Sequence, residues 1–191
     1  KVFIAGSTWL PDEKLLVALT VKNLDWKFII APHEIGEAHI KEIENLFPEA
    51  IKFSVFSSQL TQISNLKSQI LIIDNIGMLS SLYQYADYAW IGGAYGKGLH
   101  NTLEAATFGL PIFFGNKVYT KFQEAMDLIA IEGAQVIDNT QTFESIFTSL
   151  YQDFNKRKEV SDKILTYVKS NIGSTQTIIN FVKNLIQTTN K

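Results

Sequence analysis

The chain has 191 residues, 46% of them hydrophobic and 19% charged, with a formal net charge of −2; this suits a folded domain with a real core. It has no cysteine, which excludes disulfide scaffolds, thiolate zinc sites and cysteine nucleophiles. No run approaches the roughly 18–20 apolar residues of a membrane span. The charge is uneven. Residues 151–191 carry seven Lys/Arg against three Asp/Glu, a balance of +4, and Arg157 is the single arginine. So little arginine argues against a nucleic-acid partner, and the basic tail reads as a solvated helix face.

The opening "KVFIAG" (1–6) reads as a core strand, not as a leader. Pro11 and two acids then start a helix, "PDEKLLVALTVKN". "KFIIA" (27–31) is the second strand. The helix after it spaces Ile35, Ile40, Ile43 and Phe47 about one turn apart and stops at Pro48. "IKFSVFS" (51–57) is a weaker strand candidate. "QILIID" (69–74), "YAWIGG" (88–93), "LPIFFG" (110–115) and "AQVID" (134–138) are further strands. Helical segments "MLSSLYQYA", "TLEAATFG" and "TKFQEAMDLIAIEG" lie between them. The strands are rich in Ile, Val and Phe and do not alternate, as expected for parallel strands covered on both faces. The order predicts an α/β fold: a Rossmann-like, doubly wound parallel sheet. Residues 140–188 have no strand signal and predict two or three C-terminal helices. No repeat or linker divides the chain, so residues 1–191 read as one domain.

In such a sheet ligands sit beyond the carboxyl ends of the strands. Small and polar residues collect there: Gly6-Ser7-Thr8-Trp9, Pro32-His33-Glu34, Asp74-Asn75-Ile76-Gly77-Met78, and the loop running from Gly92 to Glu104. Gly92, Gly93, Gly96 and Gly98 allow the backbone a close approach to a ligand. That loop feeds a helix start, a place suited to a phosphate or carboxylate. It matches neither a P-loop nor a dinucleotide fingerprint: Gly92 to Gly96-Lys97 leaves three intervening residues, and position 101 is Asn. Asn101 and Glu104 read either as a capping box or as a ribose-diol site, in which a carboxylate accepts two hydrogen bonds. Ser7 and Thr8 either bind a ligand oxygen or cap the helix at Pro11. His33 stands on the ligand edge, His100 could face a phosphate, and His39 has no assigned role. The histidines and carboxylates lack metal-ligand spacing.

The chain resembles the C-terminal half of a GT-B glycosyltransferase, specifically the bacterial 3-deoxy-D-manno-octulosonic acid (Kdo) transferases in a Bacteroidetes-like version. The resemblance rests on "AGST", "APHEIGEAHI", "IIDNIGMLSSLYQYADYAWIGGAYGKGLHNTLEAATFGLPIFFG" and "FQEAMDLI". It implies a donor site for CMP-Kdo with no cofactor or metal. The sugar would pass to a lipid A precursor at the cytoplasmic face of the inner membrane, in lipopolysaccharide biosynthesis. Glu104 would match the family's ribose-binding acid, with Asn101 beside it. Gly77 and Met78 would face the donor phosphate from a helix start, although Ile76-Gly77-Met78 replaces the Met-Gly-Glu of many relatives. His33 is the carry-over of a Pro-Arg-His motif whose arginine is missing, and Lys97 is the candidate replacement. The family's catalytic base and its membrane contact lie in an N-terminal domain. The resemblance therefore implies a soluble donor-binding fragment, inactive alone, whose C-terminal helices would cross back to that domain. The alternatives are a GT-B donor domain using a UDP-sugar and a non-catalytic flavodoxin-like binding module with Asp74 as its acid.

Overall fold

Seven short apolar segments become the strands of one sheet in the computed structural model, which describes residues 1–22, 25–58 and 68–189. They are β1 (Val2–Thr8), β2 (Lys27–Pro32), β3 (Ile51–Lys52), β4 (Ile70–Ile72), β5 (Tyr88–Ile91), β6 (Ile112–Gly115) and β7 (Ala134–Ile137). Their spatial order is β3-β4-β2-β1-β5-β6-β7, and every pair is parallel. The chain winds outward from β1 on one side, then returns to place β5 against β1. The β1/β5 boundary is therefore the topological switch point, where ligands bind in open sheets of this kind.

Successive side chains of β1 point to opposite faces. Phe3 turns toward α7 (Thr140–Gln152) and meets Phe143 and Phe147 at ring-centroid distances of 6.0 and 5.7 Å. Phe113 of β6 lies 5.3 Å from Phe143 in the same edge-to-face manner, the arrangement aromatic quadrupoles favour. The other face carries Gly6, against which pack Leu79 of α4 (Leu79–Leu82) and Tyr83 of the 3-10 turn Tyr83–Tyr85. β5 and β6 are buried at every position, which is why their sequences run apolar without alternation.

The remaining helices are α1 (Leu10–Lys22), α2 (Glu37–Leu46), α3 (Phe53–Ser58), α5 (Leu103–Ala106), α6 (Gln123–Ala130), α8 (Phe154–Ser170) and α9 (Ser174–Thr189). The tail thus forms three helices. α9 leaves Ile178, Phe181 and Leu185 more than half exposed. Among the described residues no helix is long and apolar enough to cross a membrane.

One predicted element differs. Only Ile51 and Lys52 of "IKFSVFS" pair with β4; Phe53 onward turns into α3. Asp74, just beyond β4, accepts the Ser54 N–H at 2.9 Å and also its hydroxyl. That carboxylate satisfies a first-turn donor and supplies negative charge at the helix start.

Candidate donor-site rim

β1 ends in a bulge. Its register with β2 shifts between Gly6 and Thr8, and Ser7 sits at φ 51°. Bulges concentrate beside functional sites because they redirect the strand end. Across the switch point, Gly92 follows β5 so closely that a Cβ there would lie 2.2 Å from the Ser7 carbonyl oxygen. Only glycine permits that approach. Gly93 follows at φ +91°. Its carbonyl accepts N–H bonds from Gly96, Lys97 and Gly98 at 3.1, 3.0 and 2.9 Å. One oxygen thus gathers the whole glycine loop.

Trp9 stands at the centre of the rim. Its indole Nε1–H donates to His100 Nε2 at 3.1 Å. Its ring lies 5.0 Å from the His33 ring, and His33 stacks on His100 at 4.2 Å. The Lys97 ammonium sits 4.8 Å from the Trp9 ring centroid, a cation–π contact that restrains an otherwise mobile side chain. Trp9, Lys97, Tyr95, Gly93 and Gly96 line a cleft of about 580 Å³ between α1 and the loop. Burial, and then the neighbouring His33, push the His100 pKa below its ordinary value. His100 is therefore neutral at pH 7. With Nε2 accepting from Trp9, its proton sits on Nδ1, leaving that N–H as the group it can offer.

Two acids lie beneath this cluster, and both are fully buried. Asp12 Oδ2 accepts the N–H groups of Trp9 and Gly93, each at 3.0 Å, and Oδ1 accepts the Trp90 indole at 3.1 Å. Glu13 accepts the Thr8 hydroxyl at 2.8 Å and meets His39 Nε2 at 3.0 Å. Burial raises both carboxyls. Asp12 goes from 3.8 to about 6, with its three N–H donors pulling the other way and Glu13 adding to the rise. Removing charge from water is the dominant cost here.

The predicted site residues divide accordingly. Ser7, His33, Gly92, Gly93, Lys97 and His100 come together around Trp9 at the switch point. Thr8 does not join them: it is fully buried and its hydroxyl is committed to Glu13. Nor do Ser7 and Thr8 cap α1. Asp12, in the third helical position, reaches back to the Trp9 N–H and does so instead. Asn101 and Glu104 form neither limb of a backbone capping box. Asn101 Oδ1 accepts the Leu103 N–H at 2.9 Å, and its amide donates to Glu104 Oε1 at 3.1 Å. Glu104 is half-buried, and its negative charge helps burial hold the Tyr83 hydroxyl above its ordinary pKa. Ile76, Gly77 and Met78 lie beyond β4 at the entry to α4, with Ile76 81% exposed. The helices there differ from expectation. α4 and α5 have four residues each, so each carries little aligned dipole, and the positive potential of the rim rests on Lys97, because the N–H groups of Gly93, Gly96, Lys97 and Gly98 are already bonded within the protein.

Sequence reasoning passed over Trp9, Asp12 and Glu13 as functional residues. Trp9 sat at the end of the first strand, and the acids resembled ordinary first-turn helix residues. His39, also unassigned, proves to be a brace between α2 and α1, its Nδ1 lying 3.0 Å from the Glu34 carbonyl.

No family model matches the chain. A 3-deoxy-D-manno-octulosonic acid transferase of Chlamydophila psittaci is 30% identical over 141 residues, 72% of this chain and 30% of the relative. A bifunctional glycosyltransferase/methyltransferase of Fusobacterium nucleatum subsp. nucleatum is 24% identical over 163 residues, 84% of this chain and 25% of the relative. The chain thus spans less than a third of either relative's length. The C-terminal CMP-Kdo binding domain of WaaA from Acinetobacter baumannii superposes with a TM-score of 0.72 at 18% identity, covering 88% of each chain. In sequence the chain is similar to part of the Kdo transferases, and in fold it is a GT-B-type α/β domain like the C-terminal CMP-Kdo binding domain of WaaA.

Proposed function

We propose that this chain is the donor-binding domain of a glycosyltransferase that moves Kdo from CMP-Kdo to a lipid A precursor in lipopolysaccharide biosynthesis. One observation carries the reading: at the switch point the Lys97 ammonium and the His100 ring gather around Trp9, and the half-buried Glu104 follows shortly after His100, in α5. The first set suits a phosphate ester and the carboxylate suits a ribose diol. Similarity to Kdo transferases along most of the chain supports the choice of sugar.

In this reading Lys97 and the Nδ1–H of His100 stabilise negative charge as CMP leaves, the electrostatic share of transfer. Glu104 grips the pentose, and Asn101 orients Glu104 through the 3.1 Å hydrogen bond. Ser7 and His33 face the donor from the β1 and β2 ends, and Ile76, Gly77 and Met78 close the far side of the rim. The base that activates the acceptor hydroxyl belongs to another domain. So do the acceptor site and the contact with the inner-membrane face, and the apolar stripe of α9 is suited to dock against that domain. Residues 1–191 act as one unit and bind nucleotide without transferring sugar. Asp74, spent on the start of α3, is poorly placed for the acid of a flavodoxin-like signalling module.

Calorimetric competition among CMP, UDP and GDP tests the proposal. CMP binding at least tenfold tighter than the other two is expected. A preference for UDP would move the domain to a UDP-sugar enzyme, and heat from none of the three would overturn the reading.

A further inference from the structure

We propose that Asp12 is a positioning residue for the donor rim: its buried carboxylate holds the glycine loop against the β1–α1 turn and thereby places Lys97 and His100. This inference rests on the nucleotide reading only for what the loop binds; the positioning itself stands on geometry.

The chain of contacts starts at Asp12, which is fully buried and makes no salt bridge among the described residues. An isolated buried carboxylate is costly unless donors surround it. Three do, and each comes from a different piece of the rim: Trp9 N–H from the end of β1, Trp90 Nε1–H from β5, and Gly93 N–H from the loop. Gly93 passes the constraint on. With its N–H fixed by Asp12, its carbonyl collects the N–H groups of Gly96, Lys97 and Gly98. Lys97 then reaches the Trp9 ring, and Trp9, whose own N–H is also held by Asp12, hydrogen-bonds His100.

A carboxylate is required because all three partners donate. A proton on Oδ2 would face two N–H groups, and a proton on Oδ1 would face the indole N–H. Asparagine has nearly the same volume but sets an NH₂ against one of these donors. Protonation and Asp12→Asn therefore loosen the same contacts. The charged and titratable groups facing Asp12 are Glu13 on its own helix and Tyr95 and Lys97 across the cleft. His100 stands one residue removed, behind Trp9.

The test uses the whole chain and follows individual N–H signals by ¹H–¹⁵N NMR from pH 8 to pH 5. The Gly93 amide and the Trp90 indole are expected to shift together, with one midpoint near 6, because both donate to Asp12. The Trp9 indole reports His100 and is expected to follow the His100 titration, which is unaffected by whether residue 12 is Asp or Asn. In Asp12→Asn the shared transition disappears and CMP affinity falls at least tenfold, while the melting temperature stays within a few degrees. Gly93 and Trp90 signals that do not move, or that move identically in the variant, would overturn the proposal. So would a folded Asp12→Asn protein with unchanged CMP affinity. If the wild type takes no CMP, the nucleotide reading fails, and the N–H titration of the wild type still decides the role of Asp12.

Discussion

Two aspartates bridge β1 and β5 from opposite ends. At the N-terminal ends, Asp87 accepts the Val2 N–H at 2.9 Å and pairs with Arg157 of α8 at 2.7 Å. At the C-terminal ends, Asp12 accepts three N–H groups and pairs with no cation among the described residues. The consequences are opposite. Asp87 lies below the usual carboxylate range: although burial raises it, the Val2 N–H and the charges of Lys1 and Arg157 prevail. Asp12 is lifted to about 6 because burial dominates. A cation at Asp12 would settle the buried charge, but it would also add a competing positive group beneath the rim. Satisfying Asp12 with neutral donors ties the loop down and leaves Lys97 free to attract an anion. The N-terminal end is built to hold, and the C-terminal end to present.

Breaking the presenting end at its hub has the largest expected effect. In Gly93→Ala, the new Cβ would lie 2.2 Å from the Gly98 carbonyl oxygen at a φ of +91°, a strain few side chains tolerate. Equilibrium urea unfolding is expected to show a loss of about 3 kcal/mol, together with loss of CMP binding. Unchanged stability would mean that the loop is not wound around Gly93.

The two acids next separate by their pH dependence. A raised folded pKa means that the folded state binds protons more readily than the unfolded chain. The Asp12 contribution to stability therefore grows as pH falls from 7 to 5, by about 1 kcal/mol relative to Asp12→Asn. Asp87 has a lowered pKa, so its contribution is present above the unfolded value near 4 and is lost as pH falls through the folded one. Unfolding of the wild type, Asp12→Asn and Asp87→Asn proteins at pH 7, 5 and 3 measures both. Slopes of the same sign for the two sites would contradict the comparison.

The smallest effect belongs to the holding end. Arg157→Ala removes a half-buried ion pair and the guanidinium packed near the Tyr88 and Phe154 rings. About 1 kcal/mol of stability should be lost. CMP affinity should stay within a factor of two, and a larger fall would show that the two ends are coupled.

The sheet was legible because its strands are apolar and do not alternate, the mark of burial on both faces, and the rim followed from the residues that succeed each strand. What escaped depended on partners far along the chain. Phe53, Val55 and Phe56 look like a strand, and the carboxylate that starts a helix there sits 20 residues on, at Asp74. Asp12 and Glu13 look like acids that complement a helix dipole, until Trp90 and Gly93, 78 and 81 residues away, bury Asp12. Thr8 read as a ligand or capping group although its partner Glu13 is near in sequence, because His39 of α2 meets Glu13 and makes that acid a core residue. Local pattern predicts elements well, but which polar groups end up facing inward is decided by tertiary contacts.

The most direct measurement is a calorimetric titration of CMP into the wild-type chain and into Glu104→Ala. One CMP per chain is predicted for the wild type, with affinity at least tenfold weaker in the variant at an unchanged melting temperature. Equal binding by the two proteins would remove Glu104 from the ribose, and no binding by the wild type would remove the nucleotide from the rim.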